Sequence, residues 1–172
     1  MKRLVLSLIV ICIVVTGCAT VQSIIKSTFP YTAILTIPAN TKSNTAQTVS
    51  SSTSSFDEIF GNQNGTSYIK DVKVASVRLD ASNPTRQSLG IFKSVKLFLV
   101  NTSGSEVMVA SRSDVSENIG NNLVLDIDNS RFVDDYIRGS NLKVRMEYVL
   151  RNSLASEVSV RAAINFSASP NK

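Results

Sequence analysis

The chain is predicted to be all-β, an antiparallel β-sandwich of about seven strands with one or two short helical turns. Three observations carry this. Leu142, Val144, Met146, Tyr148 and Leu150 alternate with mostly charged residues, and Val158, Val160, Ala162, Ile164 and Phe166 alternate with Ser159, Arg161, Ala163 and Asn165. This period of two is that of half-buried strands. Turn-forming residues recur roughly every ten residues, the spacing of short antiparallel strands. Finally, the two cysteines, Cys12 and Cys18, both lie at the N-terminal end, so no disulfide is available to the remainder and its core must hold it alone.

Taken in order, residues 31–37 are rich in β-branched and aromatic side chains and stop at Pro38, which marks the first strand. Residues 39–55 are dominated by Ser, Thr, Asn and Gln. They bury too little apolar area to offset their ordering entropy and are expected as a long loop or a polar edge strand around Thr48-Val49. Ser55 can cap a helical turn over residues 56–60 that Gly61 ends. Phe56, Ile59 and Phe60 then share one side and plug an end of the core. In residues 68–79, Val72 and Val74 lie on one strand face and Val77 and Leu79 on the other. A β-bulge near Ala75-Ser76 would return both pairs to the core. Residues 80–85 form a turn, with Pro84 preventing extension.

Residues 91–100 are the most apolar strand and are expected at the centre. Val95, Leu97 and Leu99 point one way, Phe92, Phe98 and Val100 the other, with Lys93 and Lys96 on opposite sides. Residues 101–105 turn the chain, and residues 106–110 return as a hairpin partner. Leu123, Leu125 and Ile127 mark a further strand, after which Asn129 or Ser130 can cap a short helix holding Phe132, Val133, Tyr136 and Ile137, with Gly139 at its exit. The last two strands are joined through residues 152–155, the length of a hairpin loop.

Composition excludes more chemistry than it suggests. The chain has no His, which removes the commonest general base and metal ligand together. No Trp is present for sugar stacking, and a net charge of +5 is too small and too scattered for nucleic acid. No cofactor is expected. Asp126-Ile127-Asp128-Asn129-Ser130 opens like a calcium loop, but Arg131 stands where that loop needs Gly and Ile137 where it needs Glu. Capping is the simpler role. Ser94 and Lys96 offer a Ser-Lys pair without a surrounding pattern. Lys143, Arg145, Arg151 and Arg161 would form a basic row on the outer face of a final hairpin, solubilising or, for Lys143, Arg145 and Arg161, in contact with an anionic surface. Three function classes follow: a binding or structural module acting through its loops, a glycan hydrolase pairing Asp126 with Asp134 or Asp135, and a carrier with a cavity between its sheets.

The N-terminus carries the one specific motif. Met1-Lys2-Arg3 is positive, and residues 4–15 are almost wholly apolar, the layout of an export signal too short for a stable membrane span. Val15-Thr16-Gly17-Cys18 then resembles the lipobox of bacterial lipoproteins. The resemblance implies cleavage before Cys18, lipid on its thiol, and attachment to the cell envelope, with a protein or glycan partner there. Ala19 in place of Asp implies the outer membrane if the cell has two. Residues 1–17 are thus expected as signal peptide, 18–30 as a lipidated tether and 31–172 as the β-sandwich. The strand pattern of that domain is similar to immunoglobulin-like modules of envelope lipoproteins, a likeness of architecture that implies no activity.

Overall fold

The computed structural model describes residues 27–60, 65–138 and 141–171. The motif around Cys18, most of the expected tether, Gly61 and Gly139 lie outside them. Eight strands form: β1 (Ser27–Ile37), β2 (Ala46–Ser50), β3 (Ile69–Asn83), β4 (Phe92–Val100), β5 (Glu106–Arg112), β6 (Asn122–Ile127), β7 (Lys143–Leu150) and β8 (Val158–Pro170). A single α-helical turn, α1 (Asp134–Ile137), and 3-10 turns at Phe56–Phe60, Gly65–Tyr68 and Leu89–Ile91 complete the described residues.

All strand pairings are antiparallel, in the order β1-β8-β3-β6-β5-β4-β7-β2. The sheet curls over itself into two four-stranded layers, β1-β8-β3-β6 and β5-β4-β7-β2. Their seam is a short pairing in which Ala110 faces Ile127 and Ser111 faces Asp126. The all-β antiparallel class is as expected, with eight strands in place of about seven. Within that class the strand order is that of a jelly roll. An immunoglobulin domain pairs several successive strands as hairpins; here only β4 and β5, as expected, are sequence neighbours paired over most of their length.

The alternating positions of β7 and β8 are the inner wall. Leu142, Val144, Met146, Tyr148 and Leu150 are all buried, as are Val158, Val160, Ala162, Ile164 and Phe166. Burial of each Val, Leu, Ile, Met or Phe among them stabilises the fold by about 1.5–3 kcal/mol. The two strands are not a hairpin, however: β7 pairs with β4 and β2, and β8 with β1 and β3. Alternation reveals which face is buried but not which layer a strand joins, and the connection after Leu150 crosses between layers.

β3 bears the expected irregularity. Its register against β8 shifts between Val74 and Ser76, and Val72, Val74, Val77 and Leu79 are all buried. The strand also runs on through the expected turn to Asn83. A second shift, between Phe92 and Ser94 on β4, turns Phe92 inward with Val95, Leu97 and Leu99, correcting its expected outward position. Lys93 and Lys96 are both exposed as a result. The polar edge strand around Thr48-Val49 is β2.

The Phe56–Phe60 turn plugs one end of the sandwich. Ser55 Oγ accepts from the Asp57 amide at 3.2 Å, and Glu58 Oε1 accepts from the Ser55 amide at 3.4 Å, a reciprocal capping arrangement. Phe56 is fully buried against Tyr31, Phe60 and Phe166. The other expected helix is shorter than its pattern suggests. Asp128 accepts from the Ser130 amide and hydroxyl in a local turn, Val133 opens α1 without a side-chain cap, and Phe132 is exposed.

Candidate functional site

The two ends of the sandwich differ in what gathers there. β1 begins, β8 ends and β3 begins at one end, where Ser27 faces Ala168 and Ile69 faces Pro170. The opposite end collects four connections, at residues 38–45, 84–91, 113–121 and 151–157. Backbone bonds tie these to one another: the Asn40 amide to the Leu154 carbonyl at 2.9 Å, Leu89 to Gly120 at 2.6 Å, Val115 to Lys93 at 3.1 Å, and Arg151 to Ile91 at 2.8 Å. The loops form one ordered surface. Gly90 is required in it, since a Cβ there would stand 2.0 Å from the Glu117 carbonyl oxygen, an approach open only to glycine.

Arg151 is the hub. Its Nε donates to the Gly90 carbonyl at 3.0 Å, an Nη donates to the Val115 carbonyl, and the guanidinium lies 3.4 Å from Glu117 Oε1. One planar fork thus joins the 84–91, 113–121 and 151–157 segments, a task matched to the fixed donor geometry of arginine. Over it lies an open depression of about 520 Å³ lined by Ser88, Gly90, Ile91, Lys93, Glu117, Arg151 and residues 152–154. Its rim is mixed in charge, with Lys93 and Glu117 exposed. Such a surface offers hydrogen bonds to a polar partner and has neither the apolar lining of a lipid pocket nor an acid-base pair.

The expected basic row is dispersed. Lys143 and Arg145 lie on β7 in one layer and Arg161 on β8 in the other, so no common face holds them. Arg145 donates to both oxygens of Glu106, at 2.7 and 2.8 Å, and stacks 4.0 Å from the Phe98 ring centroid. Arg161 pairs with Asp80 at 3.2 Å. Arg151 turns away from the outer row into the loop end. The basic face assumed a β7–β8 hairpin, and its residues part with the layers.

The carboxylates are likewise engaged separately. Asp126 pairs with Arg112 at 3.0 Å, and Asp134 accepts from the Val72 amide at 3.0 Å. The donations from Ser130 hold the Asp128 carboxyl below its ordinary pKa, in keeping with a turn-forming role. Lys96 pairs with Glu147 at 2.9 Å instead of Ser94. Among the described residues no group of three acidic, His or Cys side chains is placed to hold a metal. The inward faces that a carrier would line with a cavity are packed as core. Arg151 is expected from sequence in the outer basic row; its place at the loop end depends on loops whose meeting no local pattern announces.

No family model matches the chain, and no curated protein matches it. Among solved structures, the chain is similar to the crystal structure of tomato aspermy virus at 12% identity, over 91% of each chain, with a TM-score of 0.34. It is also similar to the VP2 subviral particle of infectious bursal disease virus at 11% identity and a TM-score of 0.26, spanning 86% of this chain and 42% of that one. Likeness at this level carries no argument, and the jelly-roll assignment rests on strand order alone.

Proposed function

We propose that this chain is a lipid-anchored component of the cell envelope, attached through Cys18, with a non-enzymatic binding or structural role exercised at its loop end. The observation that carries the reading is the Val15-Thr16-Gly17-Cys18 motif behind a charged and apolar leader. Two or more acyl chains on one cysteine hold a domain at a bilayer without any apolar surface of its own. The geometry supports it: β1 starts nine residues after Cys18, at the end opposite the loops that Arg151 ties together. A mooring there leaves the loop end directed away from the lipid, open to a protein or glycan partner. The outer membrane is the proposed location in a cell with two.

Cys18→Ser tests this. The variant is expected to lose metabolic lipid labelling and to leave the membrane fraction as a soluble β-rich protein. An unmodified Cys18 thiol in the intact protein, found by mass spectrometry, would overturn the proposal.

A further inference from the structure

The chain has eleven aromatic side chains, seven Phe and four Tyr, all within the described residues. Nine are buried or half-buried, and only Tyr68 and Phe132 are exposed, at 69% and 56%. Both stand at the end where β1 starts. Tyr68 directly precedes β3, and its carbonyl accepts from the Asn171 amide just past β8. Phe132 is brought there by its neighbours: the Val133 amide donates to the Val72 carbonyl at 2.8 Å, and Asp134 accepts from the Val72 amide. Since β1, β8 and β3 are adjacent, Ser27 lies about 10 Å across the sheet from the start of β3.

We infer that Tyr68 and Phe132 form a membrane-resting edge, seated in the headgroup region of the bilayer to which the chain is moored. The inference rests on the lipid-anchor proposal and adds an orientation to it. The nine residues from Cys18 to Ser27 span at most about 32 Å when fully extended, so this end of the domain stays within reach of the lipid surface. An aromatic ring exposed to water is favoured at the headgroup level, where its body is desolvated and a polar tip stays wet. Tyr68 has that tip in its hydroxyl. Phe132 has it in Lys73, whose ammonium lies 4.8 Å from the ring centroid and can rise to the phosphates while its stem covers the ring. The contact is mainly apolar: Lys70, Lys73 and Arg131 stand among Asp71 and Asp135, and Arg138 is paired with Asp134, which leaves a net charge of about +1 and only weak attraction to an anionic surface.

The absence of Trp makes the test direct. Single-tryptophan variants Tyr68→Trp, Phe132→Trp and, at the opposite end, Asn118→Trp are prepared as the full lipidated protein, and each is checked for native far-UV circular dichroism. They are reconstituted in phosphatidylcholine vesicles whose acyl chains carry bromine, a short-range quencher. Tyr68→Trp and Phe132→Trp are expected to lose emission and shift to the blue relative to unbrominated vesicles, at low and high salt alike, while Asn118→Trp does neither. Flotation reports the anchor separately. Protein that floats with the vesicles yet shows no quenching at either site overturns the edge and leaves the anchor standing. Quenching abolished by salt overturns the apolar contact, and protein that does not float overturns both.

Discussion

Arg151 shows how much one side chain can decide at the residue scale. It is a quarter exposed, and its guanidinium spans two backbone carbonyls and Glu117. Removing it leaves those carbonyls short of a charged donor, a loss of about 1.5–3 kcal/mol per interaction of this type. Arg151→Ala is therefore expected to lower stability by about 2–3 kcal/mol in urea unfolding. Arg151→Lys should recover less than half, because an ammonium cannot reach two loops with fixed geometry. Two tyrosines make a second prediction at this scale. Burial raises Tyr31 and Tyr148 above the ordinary value of 10.0, against the opposing pull of hydrogen bonds with Ser54 and Thr41 respectively. The unfolded chain then releases these protons at lower pH than the folded one, so the unfolded state binds fewer and stability falls as pH rises past about 10. A Tyr31→Phe, Tyr148→Phe protein should lose less stability between about pH 9 and pH 11 than the parent, read from urea midpoints.

At the scale of elements, β3 separates what is legible in sequence from what is not. The change of inward phase between Val74 and Val77 can be seen in the residues alone, because four large apolar side chains cannot all reach one face without an extra residue. The structure supplies that residue at Ala75. Deleting Ala75 would remove the bulged residue and leave Val72, Val74, Val77 and Leu79 in strict alternation on one face. Each pair is fully or almost fully buried and stays inward, so the deletion should be tolerated, costing less than about 3 kcal/mol and keeping a cooperative transition, as thermal unfolding will show. The pairing partners were not legible. β7 and β8 carry equally clean alternation and a connection of hairpin length, yet their partners lie in opposite layers. The candidate site depends on this crossing, which brings Arg151 to the loop end and separates Arg145 from Arg161. Nor does local pattern reveal that Phe92 turns inward, since the irregularity between Phe92 and Ser94 sits within an otherwise regular apolar run.

Over the whole molecule, the dominant constraint is that the first strand pairs with the last. β1 lies against β8 along its full length, from Ser27 facing Ala168 to Ile37 facing Val158, so the β1-β8-β3-β6 layer cannot close until nearly the entire chain has collapsed. Closing so long a loop is entropically costly before its contacts form, which places the protein among slow-folding β topologies, in the range of milliseconds to seconds. The same geometry offers a remedy, since both strands end together at the chain-entry end. A circular permutant of the described domain can join residue 171 to residue 27 through a short Gly-Ser linker and open the chain in the exposed 38–45 connection. It converts β8 and β1 into a hairpin without altering any inward position. The permutant should keep the β-rich circular dichroism spectrum and refold faster than the parent domain in stopped-flow fluorescence, using the Asn118→Trp background as a probe. Faster refolding with an unchanged unfolding rate would place the β1–β8 pairing in the folding transition state. An unchanged refolding rate would mean that the barrier is crossed before these strands meet, leaving the β4–β5 hairpin and its β7 neighbour as the nucleus.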